Sequence, residues 1–506
     1  MSWWGSGEII LMLTWLKKES RRIRIFYAFL ALVVVDAFDW ILFSGTRQGL
    51  GLALFFACSI GLFCLASFGF GYVRNKRALL LLAPIAILLF DIVYFSNEFT
   101  EVVGTLLLLV LSLLFVILVT LGIKEKKFYF RAIPWFKNIE NIVSTPLEKI
   151  GKIFSDIVQS IQGVRSTMTK KIVLGILISL PLVGIFIALF AKADPIFLDI
   201  VSKFALPDTN FWFLPHYFRV IVLSTILCSI LYIVLDERHA LEEKISAVKK
   251  FDPVIVNIIL LIINSVFLLF VVIQIRYLFG SANYVFSNNL TYAQYARNGF
   301  FELVKVMIVS GLLLTAILRP FLSHNYSTVT KFLKLLLVAQ VLVVAFSALR
   351  RMYLYQEMYG FTALRLHVEW FIYFSIATFL IIAYFVISKK GFREYWYTIL
   401  IFGTISLVVV CSLNVDLLVA KKNVERAANG ATPLDVGYLL TLSPDAWPEL
   451  LLAEKQNVKL KSDSKEYKDW KAVNTFLDER YREYKNSDWR QYNVGVAKFV
   501  ASYESK

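Results

Sequence analysis

Eleven runs of mostly apolar residues, each about the length of a membrane crossing, dominate the chain: 25–44, 51–72, 78–96, 102–122, 172–190, 218–235, 254–275, 300–318, 332–349, 368–387 and 398–415. A helix rises about 1.5 Å per residue, so about 20 apolar residues cross the roughly 30 Å hydrocarbon core of a bilayer. The expected fold class is therefore all-α: a polytopic membrane bundle of about 11 transmembrane helices. Composition agrees, with 58% hydrophobic and 18% charged residues and a mean hydropathy of +0.66. Soluble domains carry about 45–50% and about 25%. Forty-three Phe against 12 Pro exclude a disordered chain.

The apolar run at 9–16 is too short to cross and precedes Lys17, Lys18, Arg21, Arg22 and Arg24. A signal peptide has its charges first, so this run reads as an interfacial or cytoplasmic segment. With residues 1–24 placed inside, the inner segments carry 27 Lys and Arg and the five short outer loops carry 8. That bias sets the orientation. Eleven crossings that start inside end outside, which puts the tail from Leu417 to Lys506 beyond the membrane. The +16 net charge is mostly this topology signal; no basic helix interleaved with aromatics suggests a nucleic-acid partner.

In chain order this gives a four-span region (1–123), a connector (124–171), a seven-span core (172–416) and an extracytoplasmic helical tail (417–506). The connector holds ten basic and four acidic residues, with apolar positions from Val143 to Val164 at helical spacing. Such an amphipathic helix suits an anionic inner leaflet or the inner ends of the bundle. The tail mixes 15 basic with 13 acidic residues. Ser443 before Pro444 predicts a helix start, and 465–486 has the charge mixing of an exposed helix. About 90 residues are too few for a deep enzyme core.

Cys58, Cys64, Cys228 and Cys411 all lie in apolar runs, and no two form a CxxC pair. They read as packed thiols. The four His are scattered without HExxH or HxH spacing, so neither a metal nor another cofactor is expected.

Ionisable residues inside spans are costly and point to function. Here they crowd the outer side: Asp36 and Asp39 in the first span, Asp91 in the third, and Glu302 with Lys305 in the eighth. Lys192, Asp194, Arg276, Arg297, Arg350, Arg351, Glu369 and Asp416 lie at the same interface. Two outer hairpins, 276–302 and 350–365, each set Arg and Tyr just past a span, then Tyr, Gly, Thr and Arg before the next. The expected ligand-binding group is Asp36, Asp91, Asp194, Arg276, Tyr277, Arg297, Glu302, Arg351, Tyr355 and Glu357. The plainer alternatives are snorkelling anchors, an aromatic belt and structural Arg–carboxylate pairs.

Several segments also carry a resemblance: AKADPIF (191–197), QIRYLFG (274–280), TYAQYARNGFFELV (291–304), MYLYQEMYGFTALRL (352–366), SLNVDLLVAKKNVERA (412–427) and LTLSPDAWPEL (440–450). Over roughly 170–495 the chain resembles a bacterial family of multi-pass membrane proteins, domain of unknown function 4173, related to 4153. Val415 stands where that family is expected to have Pro. The resemblance implies an integral membrane fold and no assigned activity, catalytic residue or cofactor.

The site of action implied is a bacterial plasma membrane, with the lipid bilayer as first partner. Binding or sensing of an envelope ligand or partner protein through an outward polar pocket ranks first. A transporter would need a broken helix or midplane site; Pro84, Pro181, Asn257, Asn264 and Gln340 are the residues that would offer it. An envelope enzyme acting on a lipid-linked substrate would use Asp36, Asp39, Asp194 or Glu302 as acid or base, and no catalytic spacing joins them. The balance leans away from an enzyme, with the enzyme reading kept as an alternative.

The topology is directly testable. A reporter active only in the cytoplasm, fused after Lys506, should be silent, and activity there would overturn the odd number of crossings.

Overall fold

A computed structural model describes residues 49–69, 75–120, 167–204, 252–279, 300–318, 327–388, 390–430, 432–461 and 469–506. The runs 25–44 and 218–235, most of the connector and the middle of the 276–302 hairpin lie outside these.

The helices, in chain order, are α1 (Leu50–Gly69), α2 (Leu82–Tyr94, entered through a 3-10 turn at Lys76–Leu81), α3 (Thr105–Thr120, entered through a π turn at Thr100–Gly104), α4 (Thr167–Ala193) and α5 (Pro195–Phe204). Then come α6 (Pro253–Phe279), α7 (Phe300–Leu318), α8 (Thr328–Tyr359), α9 (Ala363–Ser388) and α10 (Phe392–Cys411). The tail holds α11 (Val415–Ala428), α12 (Val436–Leu440), α13 (Trp447–Lys455), α14 (Trp470–Lys485) and α15 (Val494–Glu504). Among the described residues the one β contact is an isolated bridge, Leu434 to Leu460. The fold is all-α.

Seven helices among the described residues are long and apolar enough to cross a membrane: Lys76–Tyr94, Thr100–Val119, Met168–Ala193, Pro253–Ile275, Thr328–Tyr359, Ala363–Ser388 and Glu394–Cys411. Each falls on an expected run. The runs 51–72 and 300–318 are helical as α1 and α7 but are not among the seven. Seven is the number shown among the described residues, which leave out the runs 25–44 and 218–235.

One boundary moves substantially. The ninth run was expected to end at 349, with a hairpin beginning at Arg350, yet α8 continues for 32 residues to Tyr359. At about 1.5 Å per residue it is about 48 Å long, well beyond the hydrocarbon core. Hydropathy drops at Arg350, but Arg, Met, Leu, Gln and Glu are all good helix formers, so the helix outlasts the apolar stretch. It stops at Gly360, whose φ of 78° suits a residue without a side chain.

The chain packs as two compact units, and they do not follow chain order. One comprises Met1–Pro134, Phe361–Ala363 and Thr404–Lys506; the other comprises Trp135–Gly360 and Leu364–Gly403. The tail therefore groups with the first helices of the chain.

In the second unit, α4 and α6 lie side by side and parallel. Gly175 faces Ile258, Phe186 meets Phe267 at 4.8 Å, and Phe190 stacks on Phe270 at 4.0 Å between ring centres. A Cβ on Gly175 would lie 3.0 Å from the Ile258 side chain, so the small residue sets the close approach. Where lipid and side chain are equally apolar, such packing is what holds helices together. α8 runs parallel to α6 on a ladder of polar contacts. Thr330 Oγ1 donates to Asn257 Oδ1 at 2.7 Å, Asn264 Nδ2 to the Leu333 carbonyl at 3.1 Å, and Gln340 Nε2 to the Asn264 carbonyl at 3.1 Å. The amides that a transport site would have used are thus engaged between helices.

In the first unit, α1, α2 and α3 share a core around Leu88, Leu108 and Phe115, with Phe63 edge-on to Phe115. The tail packs around Trp447, which meets Phe476, Tyr484 and Phe499 at 5.8, 6.1 and 5.0 Å. Ser443 takes the expected helix-start position but makes no side-chain capping bond; a 3-10 turn at Pro444–Ala446 leads into α13. The helix expected at 465–486 is α14, capped by Asp469.

This tail is seated on the helix ends. Asn493 Nδ2 donates to the Ile92 and Phe95 carbonyls at 3.0 and 2.7 Å, and the Leu50 amide donates to the Tyr492 carbonyl at 2.9 Å. The Ser96 amide and hydroxyl donate to Asp445 Oδ2 at 2.6 and 2.9 Å. The seat leaves no room at Gly495, where a Cβ would overlap Asp445 Oδ1. Gly495→Ala should therefore displace the Asp445 carboxylate and loosen the seated tail by about 1–3 kcal/mol. Proteolysis of the full chain in detergent should show α15 cut faster in the variant than in the wild type.

Candidate functional site

Two of the most enclosed charges among the described residues, Asp194 and Arg351, meet where α4 ends and where α6 and α8 run past it. Pro195 starts α5 at its first helical position, and Asp194 caps it, Oδ1 accepting from the Ile196 and Phe197 amides at 2.9 and 3.2 Å. Its other oxygen accepts from Gln274 Nε2 at 3.1 Å and Arg351 Nη2 at 3.3 Å. Arg351 also donates to the Ala193 carbonyl at 2.8 Å and to Gln274 Oε1 at 3.1 Å. Ser347 Oγ donates to the same Gln274 oxygen at 2.6 Å. Arg351 is 1% exposed and Asp194 0%.

This is a clamp. Every named bond runs between helices or caps one, so the charges fix the spacing of α6 and α8 against the end of α4. Burying such a pair gains little overall, but removing one partner leaves an uncompensated charge.

Of the ten residues expected to bind a ligand, the structure brings Asp194 and Arg351 into contact. Asp91 belongs to the other unit, is buried, and accepts from Ser412 Oγ at 2.7 Å. Glu302 pairs with Lys305 along its own helix at 3.5 Å. Tyr355 carries the Arg365 guanidinium 4.0 Å above its ring centre, and Glu357 is exposed on the last turn of α8. Arg276 and Tyr277 lie in α6, but their side chains are outside the described set, as are Asp36 and Arg297 entirely. Gln274 was missed by the sequence reading, although it stands two residues before Arg276 in a quoted motif. An uncharged amide attracts no notice when charges are being mapped.

A second polar cluster forms in the tail unit from three of the motif segments. Asn423 holds the Phe361 backbone at both ends, accepting from its amide at 2.9 Å and donating to its carbonyl at 2.8 Å. The Tyr438 hydroxyl accepts from the Ala363 amide at 2.8 Å, and Lys422 lies 4.5 Å above the Phe361 ring. Asn414 caps α11, and Asp416 Oδ2 accepts from the Ser443 amide at 3.0 Å. Asp445 completes the group. Burial pushes its carboxyl above the ordinary range and nearby Asp416 adds to this, against the Ser96 and Asn414 hydrogen bonds that pull it down.

The same motif segments thus converge on one structural seam, which is the arrangement a family signature would preserve. Residues 57–453 match the model of the family described as Domain of unknown function (DUF4153). The chain belongs to that family. No curated protein and no solved structure matches it. The match is not to 4173, the family the motifs resemble first, but to its relative 4153, and it begins well before residue 170. In this family member it takes in α2 to α12, the Asp194–Arg351 clamp and Asp445, and stops short of Asn493 and Gly495.

Two outcomes follow from these clusters. Asp194→Ala should strand the Arg351 guanidinium and cost about 3–5 kcal/mol. Asp194→Asn combined with Arg351→Met should recover most of that, as read by thermal unfolding in detergent. For Asp445 the raised folded-state value means that the seated tail favours the protonated acid. Its contribution is full below the unperturbed 3.8 and is lost as pH rises through the raised value. Thermal stability should therefore decline over that window, and Asp445→Asn, which keeps an acceptor for Ser96, should flatten the decline.

Proposed function

We propose that this DUF4153 protein is an eleven-span plasma-membrane protein of bacterial type, amino terminus inside and tail outside, which binds or senses an envelope ligand or partner through its outer face. The observation that carries the reading is the seating of the tail. Asp445 and Asn493 join it to the segments that end α2 and precede α3, so whatever engages the tail also loads the membrane helices. A passive appendage needs no such buried polar joints.

Helix directions support the count. α4 and α6 run the same way, and so do α6 and α8. Two parallel crossings require one return between them. The run 300–318, helical as α7, would supply it between α6 and α8, and the sequence offers the run 218–235 between α4 and α6. The Lys and Arg bias then favours an outer position for Ala193, Gln274 and Arg351.

Within the expected ligand group, the Asp194–Arg351 pair acts as the clamp that shapes this face. Glu302, Tyr355 and Glu357 are the described members with surface to offer. Asp91 belongs to the tail's unit and would act from there.

Mild-detergent purification of the intact protein, with identification of what it retains, tests this reading. A retained ligand or protein that is lost on Gly495→Ala supports it. Counterflow of a small solute in proteoliposomes would replace it with transport, and turnover of a lipid-linked substrate would replace it with an enzyme.

A further inference from the structure

The turn Trp489–Gln491 and the adjoining Tyr492 sit against the first residues of α1. A Cβ on Gly49 would lie 2.8 Å from the Tyr492 carbonyl oxygen, and one on Gly51 would lie 3.1 Å from Arg490 Cβ. The Leu50 amide bonds the Tyr492 carbonyl. Two glycines flanking Leu50 therefore bring the tail's backbone onto the start of a membrane helix.

That contact fixes a depth. α1 has 20 residues, so it is about 30 Å long, the thickness of the hydrocarbon core. It exposes Leu54, Leu65 and Phe68 along its length, as a lipid-facing helix does. Its first residue thus lies at the edge of the core, and a turn packed on that residue lies in the headgroup layer. In the turn, Trp489 is 58% and Tyr492 48% exposed, although both are large aromatics. The one cation between them, Arg490, is held by Asp488 through its Nε at 2.8 Å, so the turn brings no unpaired charge into the layer. On α2, exposed Phe90 stacks on Tyr94, over which Lys498 lies at 4.4 Å.

We propose that Trp489 and Tyr492 anchor the tail in the bilayer interface, so that the tail is held both by the helix ends and by lipid headgroups. Amphipathic rings favour that layer, and a lysine beside them reaches the phosphates. The occupant of the exposed patch is lipid, because the patch is packed on the first residues of α1, at the depth where that helix's apolar surface begins. The proposal requires that α1 crosses a bilayer but not that the tail binds a ligand.

The test uses the full chain in nanodiscs of phosphatidylethanolamine and phosphatidylglycerol, with its native cysteines replaced. A nitroxide is placed singly at 489 or 492, or at exposed Glu479 on α14 as a reference. Labels at 489 and 492 should collide with oxygen several-fold more readily than with a water-soluble nickel chelate, and the label at 479 should show the reverse. Nickel accessibility at 489 and 492 equal to that at 479 overturns the proposal. If a labelled variant fails to fold, hydroxyl-radical oxidation of the unmodified chain in the same nanodiscs decides. Protection of Trp489 and Tyr492 upholds lipid contact, because no other protein is present. Oxidation at the rate of freely solvated aromatics means that the patch awaits a protein partner or nothing.

Discussion

A polar side chain inside a bilayer has no water to return to, so it must find its partner on a neighbouring helix. Much of this molecule follows from that constraint. Asp194 and Arg351 neutralise each other only because α6 and α8 pass the end of α4 at the same level, and they hold the three helices together there in turn. Asn257, Asn264, Gln274 and Gln340 extend the same logic along α6 and α8. Apolar packing brings these helices close. The polar ladder selects one register among the many that apolar packing would tolerate.

The seated tail obeys a related rule at a different depth. The ends of membrane helices leave backbone carbonyls and amides without helical partners. Asn493 accepts that work at the Ile92 and Phe95 carbonyls, and Asp445 does so at the Ser96 amide. Tail and helix ends thereby complete each other's hydrogen bonding. Gly495, pressed against the Asp445 carboxylate, shows how closely the two surfaces fit.

Hydropathy made the membrane helices legible, because burial in lipid acts on about 20 consecutive residues at once and leaves a mark at that scale. It misplaced the end of α8, since a helix can leave the membrane without ceasing to be a helix. Which residues pair across space left no such mark. Nothing local distinguishes Asp91, which meets the Ser412 hydroxyl, from Asp194, which meets an arginine. The grouping of the tail with α1 to α3 rests on Asn493, Asp445 and two glycines near residue 50, separated by about 400 positions. The motif segments signalled that 361 and 423 matter, but only the fold shows that they meet.

The clamp and the tail differ in what they allow. A network as enclosed as Asp194–Arg351–Gln274 resists change, because moving any member strands another in a medium that cannot solvate it. The named joints of the tail instead hold backbone groups at the start of α1 and around the end of α2, with no ion pair among them. A signal taken up at the tail would reach the interior through the residues it holds directly: Leu50 at the start of α1, Ile92 near the end of α2, and Phe95 and Ser96 just beyond it.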